Sequence, residues 1–337
     1  MSEAAGFPRG MTRILVIVNP AAGRGRARKR WPFVARALRA AGVDFDAVTT
    51  ARGGEAIGHA ERAAGEYAAV VAAGGDGTVH EVVNGLLRAA GDGRVAALGV
   101  LPLGSGDDFA KLIAPSIAIG GRAPDWPTAV ATIAGGQTRR FDAGCIEVEA
   151  PPGAVQRRYF ANGMDVGFGA QGAANAAAMP AWLRGRAAYF GALAKTLVAY
   201  PRLRLTLQLD DAPPESCEAT IAAVMNGRCF GSSFWVCPDA RADDGLLDVM
   251  LAGALGRVAI LGLVPRVMRG RHTDHPRVRM QRARRIGFES ETPMAIEADG
   301  ELPFPATRRV SVSVLPAALS VLVPALAPLS ASGDRTA

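Results

Sequence analysis

The chain is poor in cysteine, in aromatic residues and in charge. Its 337 residues include four cysteines, none in a C-x-x-C pair, which excludes a disulfide framework and a cysteine-based zinc site. Aromatic residues make up 6% and charged residues 20%, whereas an average soluble domain is roughly 25% charged. Because 49% of the residues are apolar, disorder and coiled coil are excluded as the main state. We expect a reduced, cytoplasmic protein with a sizeable core.

The sequence also lacks a clean hydrophobic span. The first apolar run, Ile14–Val18, is far shorter than the apolar core of a secretory signal. Residues 246–264 are long enough to cross a bilayer, but Asp248 and Arg257 would lie inside the span. We interpret this segment as a buried strand followed by an apolar helix.

Basic residues outnumber acidic ones, 38 to 31, giving a net charge of +7. This balance favours anionic partners such as nucleotide phosphates, nucleic acid or acidic lipid. Eight arginines and one acid lie between residues 266 and 285. That segment is typical either of a patch for anionic lipid head groups or of a solvated surface. No aromatic residue lies among the arginines, so we do not expect nucleic acid as a partner.

The hydrophobic pattern changes near residue 137. Before it, short apolar strands alternate with helices, a pattern that predicts a parallel sheet covered by helices with ligands at the carboxyl ends of the strands. After it, period-two alternation dominates, as in residues 202–209. We therefore predict an α/β domain over residues 11–137 and an antiparallel β domain over residues 138–325. Helical segments at about 182–199 and 257–268 interrupt the second domain, and the tail from Ser330 is loose.

Three strand-to-helix loops carry glycines next to small polar or acidic residues. They are residues 19–25 (NPAAGRG), 72–81 (AAGGDGTVHE) and 102–110 (PLGSGDDFA). In a parallel sheet all three lie on one edge. Glycines allow backbone amides to approach a phosphate, and a following helix N-terminus attracts anions. An acid such as Asp76 beside a phosphate indicates an intervening Mg²⁺ or a catalytic base, although an ordinary Gly-Asp-Gly turn would look the same.

These loops, taken together with later segments, resemble the diacylglycerol kinase catalytic superfamily. The superfamily includes bacterial diacylglycerol and YegS-like lipid kinases and is related to sphingosine and ceramide kinases. The later segments are Thr50 in a T-x-x-x-G-x-A pattern, residues 238–249 (PDARADDGLLDV) and residues 298–301 (ADGE). The resemblance spans nearly the whole chain in the order of the family's motifs.

The resemblance implies a three-layer α/β nucleotide-binding domain of the NAD-kinase and phosphofructokinase type, then a β-sandwich lipid domain whose last strand, about 315–329, packs back on the first. It implies an ATP site formed by Asn19, Thr50, Gly74, Gly75, Asp76, Gly77, Thr78, Val79, His80 and Ser105. Asp76 would act with Mg²⁺ or help to activate the lipid hydroxyl. Glu301, with Asp299 nearby, would supply the proton acceptor.

The family also holds a structural Mg²⁺ outside the catalytic centre. The matching positions are Asp244, the Leu246 carbonyl and Arg241, of which arginine could contribute only its backbone carbonyl. The third loop departs from the family's usual P-x-G-T-x-N-D-F-A-R by having Ser105, Asp107 and Lys111. Serine keeps the hydroxyl, whereas aspartate adds negative charge near the phosphates.

We therefore predict an ATP- and Mg²⁺-dependent lipid kinase. Its acceptor is diacylglycerol or else a sphingoid base, ceramide or phosphatidylglycerol. We expect it at the inner face of the membrane, in peripheral contact with anionic lipid. The alternatives are a soluble kinase of the NAD-kinase type and a non-catalytic nucleotide- or lipid-binding protein. The sequence leaves acyl-chain preference and oligomeric state open.

Overall fold

A computed structural model describes residues 13–92, 96–114, 117–150, 153–177, 191, 195–197 and 203–325. Its N-terminal half alternates strands and helices. The elements are β1 (Ile14–Val18), α1 (Arg26–Ala40), β2 (Phe45–Thr49), α2 (Glu55–Ala63), β3 (Ala69–Gly74), α3 (Asp76–Ala89), β4 (Ala97–Pro102), α4 (Asp108–Ile113) and α5 (Trp126–Gly135).

The four N-terminal strands form a parallel sheet in the order β4-β3-β1-β2. Strands β1, β3 and β4 are almost fully buried, as expected for a sheet with helices on both faces. On one face the sheet packs against Val34 and Leu38 of α1. On the other it packs against Val83 and Leu86 of α3. The predicted three-layer arrangement is confirmed.

The C-terminal half is mostly antiparallel. Its elements are β5 (Thr138–Ala150), β6 (Ala154–Phe160), β7 (Gly163–Gly167), α6 (Phe168–Ala177), β8 (Leu203–Leu209), β9 (Glu215–Met225), β10 (Leu247–Gly253), α7 (Arg257–Met268), β11 (Val278–Ala283), β12 (Arg285–Ala298) and β13 (Glu301–Leu322).

Four of the C-terminal strands close into a ring, because β9 pairs with β7 and β8, and both of these pair with β12. Strands β10 and β11 extend the sheet beyond β9. The inward side chains form a separate apolar core that includes Phe160, Val224, Phe288 and Val312. The predicted β-rich second domain is confirmed.

Strand β13 joins the two halves. Over most of its length it pairs antiparallel with β12 and β5. Near its end, Val321 pairs parallel with Leu98 of β4, so the strand also extends the N-terminal sheet. We propose a domain boundary at Gln137, between α5 and β5, with the end of β13 returning to the first domain.

Several local predictions can be compared directly with the structure. Residues 156–166, which we predict to alternate as one strand, belong to two strands, β6 and β7, because the chain bends at Ala161 and Asn162. Residues 246–264 form β10 and α7 as predicted, and no helix in the described ranges is long and apolar enough to cross a membrane. Most of the predicted helix at 182–199, and the tail from Ser330, lie outside the described residues.

Candidate active site

The three glycine-rich loops meet at the carboxyl edge of the parallel sheet. A Cβ atom on Gly104 would lie 2.5 Å from Gly75 Cα, so only glycine permits the second and third loops to approach this closely. The Leu103 amide donates to the Gly74 carbonyl at 2.8 Å. A Cβ on Gly23 would lie 2.4 Å from the Leu103 carbonyl oxygen, so the first loop packs against the third.

Two side chains tie the first loop to the others. Asn19 Nδ2 donates to Thr78 Oγ1 at 3.1 Å, at the first turn of α3. Arg26 Nη2 donates to the Gly104 carbonyl at 3.0 Å and lies 3.5 Å from Ser105 Oγ. The three loops therefore form one connected surface, with Arg26 beside its exposed part.

The remaining predicted nucleotide residues take different positions. Ser105 lines a cavity of about 420 Å³ together with Gly23, Arg24 and Arg26, where two guanidinium groups can meet phosphate. Thr50 is buried, and its hydroxyl donates to the Val18 carbonyl at 3.4 Å, joining the ends of β1 and β2.

Asp76 is the first residue of α3 and faces the space between the loops. Its Oδ1 accepts from the Phe109 amide at 3.2 Å. Burial, followed by the nearby charge of Asp108, raises the pKa of Asp76 to about 7. A cation bound beside Asp76 would stabilise its ionised form, which burial and the charge of Asp108 disfavour.

Asp108 connects the third loop to the C-terminal domain, and sequence reasoning missed it. Its Oδ1 accepts from Lys111 Nζ at 2.6 Å and its Oδ2 accepts from the Ser232 amide at 2.8 Å. Lys111 Nζ also donates to the Ser232 carbonyl at 2.8 Å. The one signal in the sequence was its place in the third motif, directly after Asp107. Residues 230–234 (FGSSF) have no sequence pattern that predicts their contact with Asp108.

Asp107, where the family usually has asparagine, has a left-handed backbone with φ of 52°. Its Oδ1 accepts from the Gly104 amide at 3.0 Å. Burial raises the pKa of Asp107 to about 6, and the charge of Asp108 adds to this effect. The extra acid therefore lies inside the loop cluster rather than on its solvated side.

Asp299 has a different position from the one expected of a proton acceptor. Its two oxygens accept from the amides of Ala161, Asn162 and Gly163 at 2.9–3.0 Å and contact His80 Nδ1 at 3.1 Å. With both oxygens engaged and 9% of the residue exposed, Asp299 fits a structural role. His80 is likewise buried against Asp299, so direct contact with nucleotide does not fit its geometry.

Glu301 is exposed and begins β13. Its Oε1 lies 2.9 Å from the point where a Cβ on Gly77 would stand. The structure therefore places this carboxylate of the C-terminal domain directly against the Gly-Asp-Gly turn of the N-terminal domain. Its exposure leaves the group available to accept a proton.

A buried pair of carboxyl groups lies behind this turn. Asp165 and Glu297 are buried close to each other, and burial raises the pKa of both carboxyl groups. Asp165 Oδ1 accepts from the Ala170 amide at 2.7 Å, and Glu297 Oε1 accepts from the Gly300 amide. The pair therefore fixes the Gly300 turn that carries Asp299 and Glu301.

A largely apolar cavity of about 360 Å³ begins at Asp76. Its polar end includes Asp76, Asp108 and the turn at Asp299 and Gly300. Its apolar wall comes from α3, α6, the 230–234 loop, β10, the turn after β10 and α7. Among these apolar lining residues are Val79, Phe168, Phe230, Phe234, Met250, Leu255, Ile260, Leu263, Val264 and Val267. A long apolar ligand with one polar end suits this shape.

A catalytic Mg²⁺ fits the polar end of the cavity in part. The described residues contain no group of three or more acid, histidine or cysteine ligands that could hold a metal by themselves. Mg²⁺ in kinases is held by one or two carboxylates plus substrate phosphates, so such a cluster is not needed. Asp76, with its raised pKa, and Asp108 are the carboxylates in place.

The predicted structural metal site does not fit. Asp244 Oδ2 is paired with Arg282 Nη2, and its Oδ1 accepts from the Leu246 amide at 3.2 Å. Arg282 Nε also lies 3.5 Å from Asp248 Oδ1, and Arg241 Nε lies 3.5 Å from Asp243 Oδ1. The guanidinium group of Arg282 therefore lies at the position predicted for a divalent ion. Its positive charge balances the negative charge of Asp244.

Two protein-family domains match the chain. The diacylglycerol kinase catalytic domain matches residues 13–146. The YegS C-terminal NAD kinase beta sandwich-like domain matches residues 163–323. The two matches follow the order of the loops and the β-rich half described above.

Relatives of the chain include proteins named diacylglycerol kinase. One from Mycobacterium tuberculosis is 29% identical over 326 residues, which cover 93% of this chain and 95% of the relative. One from Staphylococcus saprophyticus is 28% identical over 297 residues, covering 86% and 88%. The crystal structure of a diacylglycerol kinase from Bacillus anthracis aligns with a TM-score of 0.67 at 19% identity, over 94% of this chain and 99% of that one. This last likeness concerns the fold.

Proposed function

Because the chain belongs to the diacylglycerol kinase catalytic superfamily and is a phosphotransferase acting on an alcohol group, we propose that it transfers the γ-phosphate of ATP to diacylglycerol. The relatives that carry this name cover nearly the whole chain. The proposed metal is Mg²⁺.

The position of Asp76 carries the proposal. This residue belongs both to the glycine-rich turn and to the wall of the apolar cavity. A nucleotide phosphate on the turn and a lipid hydroxyl at the polar end of the cavity would therefore meet beside one carboxylate. That juxtaposition is what transfer between a soluble nucleotide and a lipid requires.

The nucleotide would lie along the three loops, with its phosphates on residues 74–78 and near Arg26 and Ser105. Mg²⁺, when bound with the nucleotide, would neutralise charge on the phosphate oxygens. Asp76 would hold the metal, with Asp108 beside it. Asn19 and Thr50 would support the loops through the contacts described above.

Glu301 would accept the proton of the lipid hydroxyl. The freed oxygen then forms a bond to the γ-phosphorus while the bond from that phosphorus to the bridging oxygen breaks, and ADP leaves. The contact between Glu301 and Gly77 supports this role, because it sets the carboxylate beside the phosphate-binding turn. Asp299 would position Glu301 through the turn between them.

We propose peripheral contact with anionic lipid at the inner face of the membrane. Of the arginines in residues 266–285, Arg279, Arg282 and Arg285 are paired with acids. The contact would therefore rest on other arginines of this segment, among them Arg266 in the last turn of α7 and Arg269 and Arg271 just beyond it. We do not propose nucleic acid as a partner.

Phosphate transfer from labelled ATP in mixed micelles tests the proposal. The acceptors are diacylglycerol, sphingosine, ceramide and phosphatidylglycerol, with NAD as the soluble acceptor. We expect label in diacylglycerol, and a loss of at least about a hundredfold in Asp76→Asn and Glu301→Gln. Glu291→Gln, an exposed glutamate on β12, is the matched control and should retain activity.

Other outcomes would select the alternatives. Label in NAD and in no lipid would indicate a soluble kinase of the NAD-kinase type. ATP binding without transfer to any acceptor would indicate a non-catalytic nucleotide-binding protein. Label in another lipid would support a lipid kinase whose substrate is that lipid and not diacylglycerol.

A further inference from the structure

Helix α7 has two apolar faces. Ile260, Leu263, Val264 and Val267 face inward and line the apolar cavity. Other apolar residues of the same helix face outward: Val258 is 84% exposed, Leu261 53% and Met268 43%. A helix with only a packing role would carry polar residues on its outer face.

The outward apolar residues form a continuous stripe. Positions 258, 261, 265 and 268 are spaced by three and four residues, so they share one side of the helix. Ile119, which is 40% exposed, lies next to Gly270 immediately after the helix. Four of the six large exposed apolar residues in the described part of the chain therefore lie on or beside α7. Such clustering marks an interaction site.

Basic residues surround this stripe. Arg257 begins the helix, and Arg266, Arg269 and Arg271 lie on its last turn and just beyond, all exposed. No acid occurs in the sequence between Asp248 and Asp274. An apolar stripe bordered by arginines complements an anionic lipid surface, where the apolar chains enter the interface and the guanidinium groups meet phosphate.

We propose that the outer face of α7, defined by Val258, Leu261, Pro265, Met268 and the four arginines, is the surface by which this protein docks on an anionic bilayer. The inner face of the same helix lines the cavity, so a lipid that leaves the bilayer at α7 would enter the cavity beside this helix. This passage rests on the proposed lipid kinase function. The docking itself does not, because it follows from the outer face alone.

Vesicle co-sedimentation of the full chain tests docking without catalysis. The vesicles are phosphatidylcholine with or without phosphatidylglycerol, and contain no diacylglycerol or ATP. We expect the wild type to bind the anionic vesicles. Leu261→Asp should weaken that binding by at least about tenfold, because an exposed leucine that would enter the lipid interface is exchanged for a charge that anionic lipid repels. Val155→Asp, at a residue also 53% exposed but on β6, is the matched control and should bind normally.

A second pair of variants isolates the arginine contribution. Arg266→Glu with Arg269→Glu should abolish the preference for anionic vesicles. Arg36→Glu with Arg308→Glu, at exposed positions on α1 and β13, makes the same change in net charge. This second pair should retain most of the preference for anionic vesicles. Equal losses in both pairs would show attraction by the net charge alone and would overturn the assignment to α7.

Further results distinguish docking on a bilayer from contact with a second copy of the chain. Absence of wild-type binding to any vesicle, or unchanged binding of Leu261→Asp, overturns the proposal. If light scattering shows that the wild type is a dimer that Leu261→Asp dissociates, with no vesicle binding, the face contacts a second copy. Vesicle binding that persists while no lipid in the micelle assay is phosphorylated would reject the proposed function and keep the docking surface.

Discussion

His80 Nδ1 lies 3.1 Å from Asp299 Oδ2, a contact that joins the helix after the phosphate-binding turn to the turn before β13 across 219 positions of sequence. Both side chains are buried. The same carboxylate accepts from three consecutive amides at the break between β6 and β7. The contact therefore fixes the two domains against each other at the point where Glu301 meets Gly77.

Replacing Asp299 should destabilise the whole protein. Asp299→Ala leaves His80 and three buried amides without their acceptor, so we expect the free energy of unfolding to fall by about 3–5 kcal/mol. Urea denaturation measures the loss. Glu301→Gln, two residues away and exposed, should lose activity without this loss. A fully stable Asp299→Ala protein that is merely inactive would instead support the proton-acceptor role first expected of Asp299.

Activity should depend on the ionisation of Asp76. Its pKa is raised from 3.8 to about 7, so in the nucleotide-free protein it is protonated at mildly acidic pH. Binding of the metal needs the carboxylate, and kcat/KM for ATP should therefore fall about tenfold per pH unit below that pKa. Because the unfolded state ionises first, this group contributes stability that is lost as pH rises from about 4 to 7.

Asp107→Asn should shift this pH profile. The variant removes a charge that raises the pKa of Asp76, while its amide oxygen can still accept from the Gly104 amide. We expect the acidic limb of the kcat/KM profile for ATP to move to lower pH, with the fold unchanged. A profile that stays in place would show that another group controls it.

The Asp244 site should be indifferent to divalent cations. Without nucleotide, neither EDTA nor added Mg²⁺ should change the thermal midpoint, because Arg282 supplies the positive charge. Arg282→Ala should lower stability by about 1 kcal/mol, since the guanidinium is partly exposed, and the midpoint should then rise when Mg²⁺ is added. Arg285→Ala removes a surface pair with Asp211 and is the control. A wild-type midpoint that falls with EDTA would restore the structural metal.

Gly77→Ala should impair catalysis more than folding. The new methyl group would stand 2.9 Å from Glu301 Oε1, and the exposed carboxylate would move away. Displacement of a catalytic group by about 1 Å costs up to about a hundredfold in rate, so we expect kcat to fall at least about tenfold with little change in KM for ATP. Gly65→Ala, where the methyl group meets open space, should behave as wild type. Unchanged kcat in Gly77→Ala would remove the argument that places Glu301 at the reaction centre.

The sequence predicted that the three glycine-rich loops meet at the carboxyl edge of the sheet, because the signals for this arrangement are local. Buried strands, amphipathic helices and glycine-rich loops each leave a short pattern, and a parallel sheet brings the loops after β1, β3 and β4 to one edge. That rule placed the loops that carry Asp76 and Ser105 at one edge, whereas their contact with nucleotide stays a prediction.

The missed features depend on contacts between distant segments. The pairing of Asp108 with Ser232 spans 124 positions, and residues 230–234 have no pattern that announces it. Asp299 and Glu301 look alike as acids in one turn, and only the fold shows that one is enclosed by amides while the other is exposed. Arg282 pairs with Asp244 because β11 passes beside that residue, and spacing along the chain does not reveal this contact.

Strand β13 carries Glu301 at one end and pairs with the nucleotide-binding sheet at the other. The two domains therefore share strand β13, and cutting a linker between them would not separate them. A chain that ends before Val321 would leave the edge of β4 unpaired as well as shortening the second domain. A cut at Gln137 would therefore leave the N-terminal sheet without the strand segment that pairs with β4, because β13 belongs to both halves.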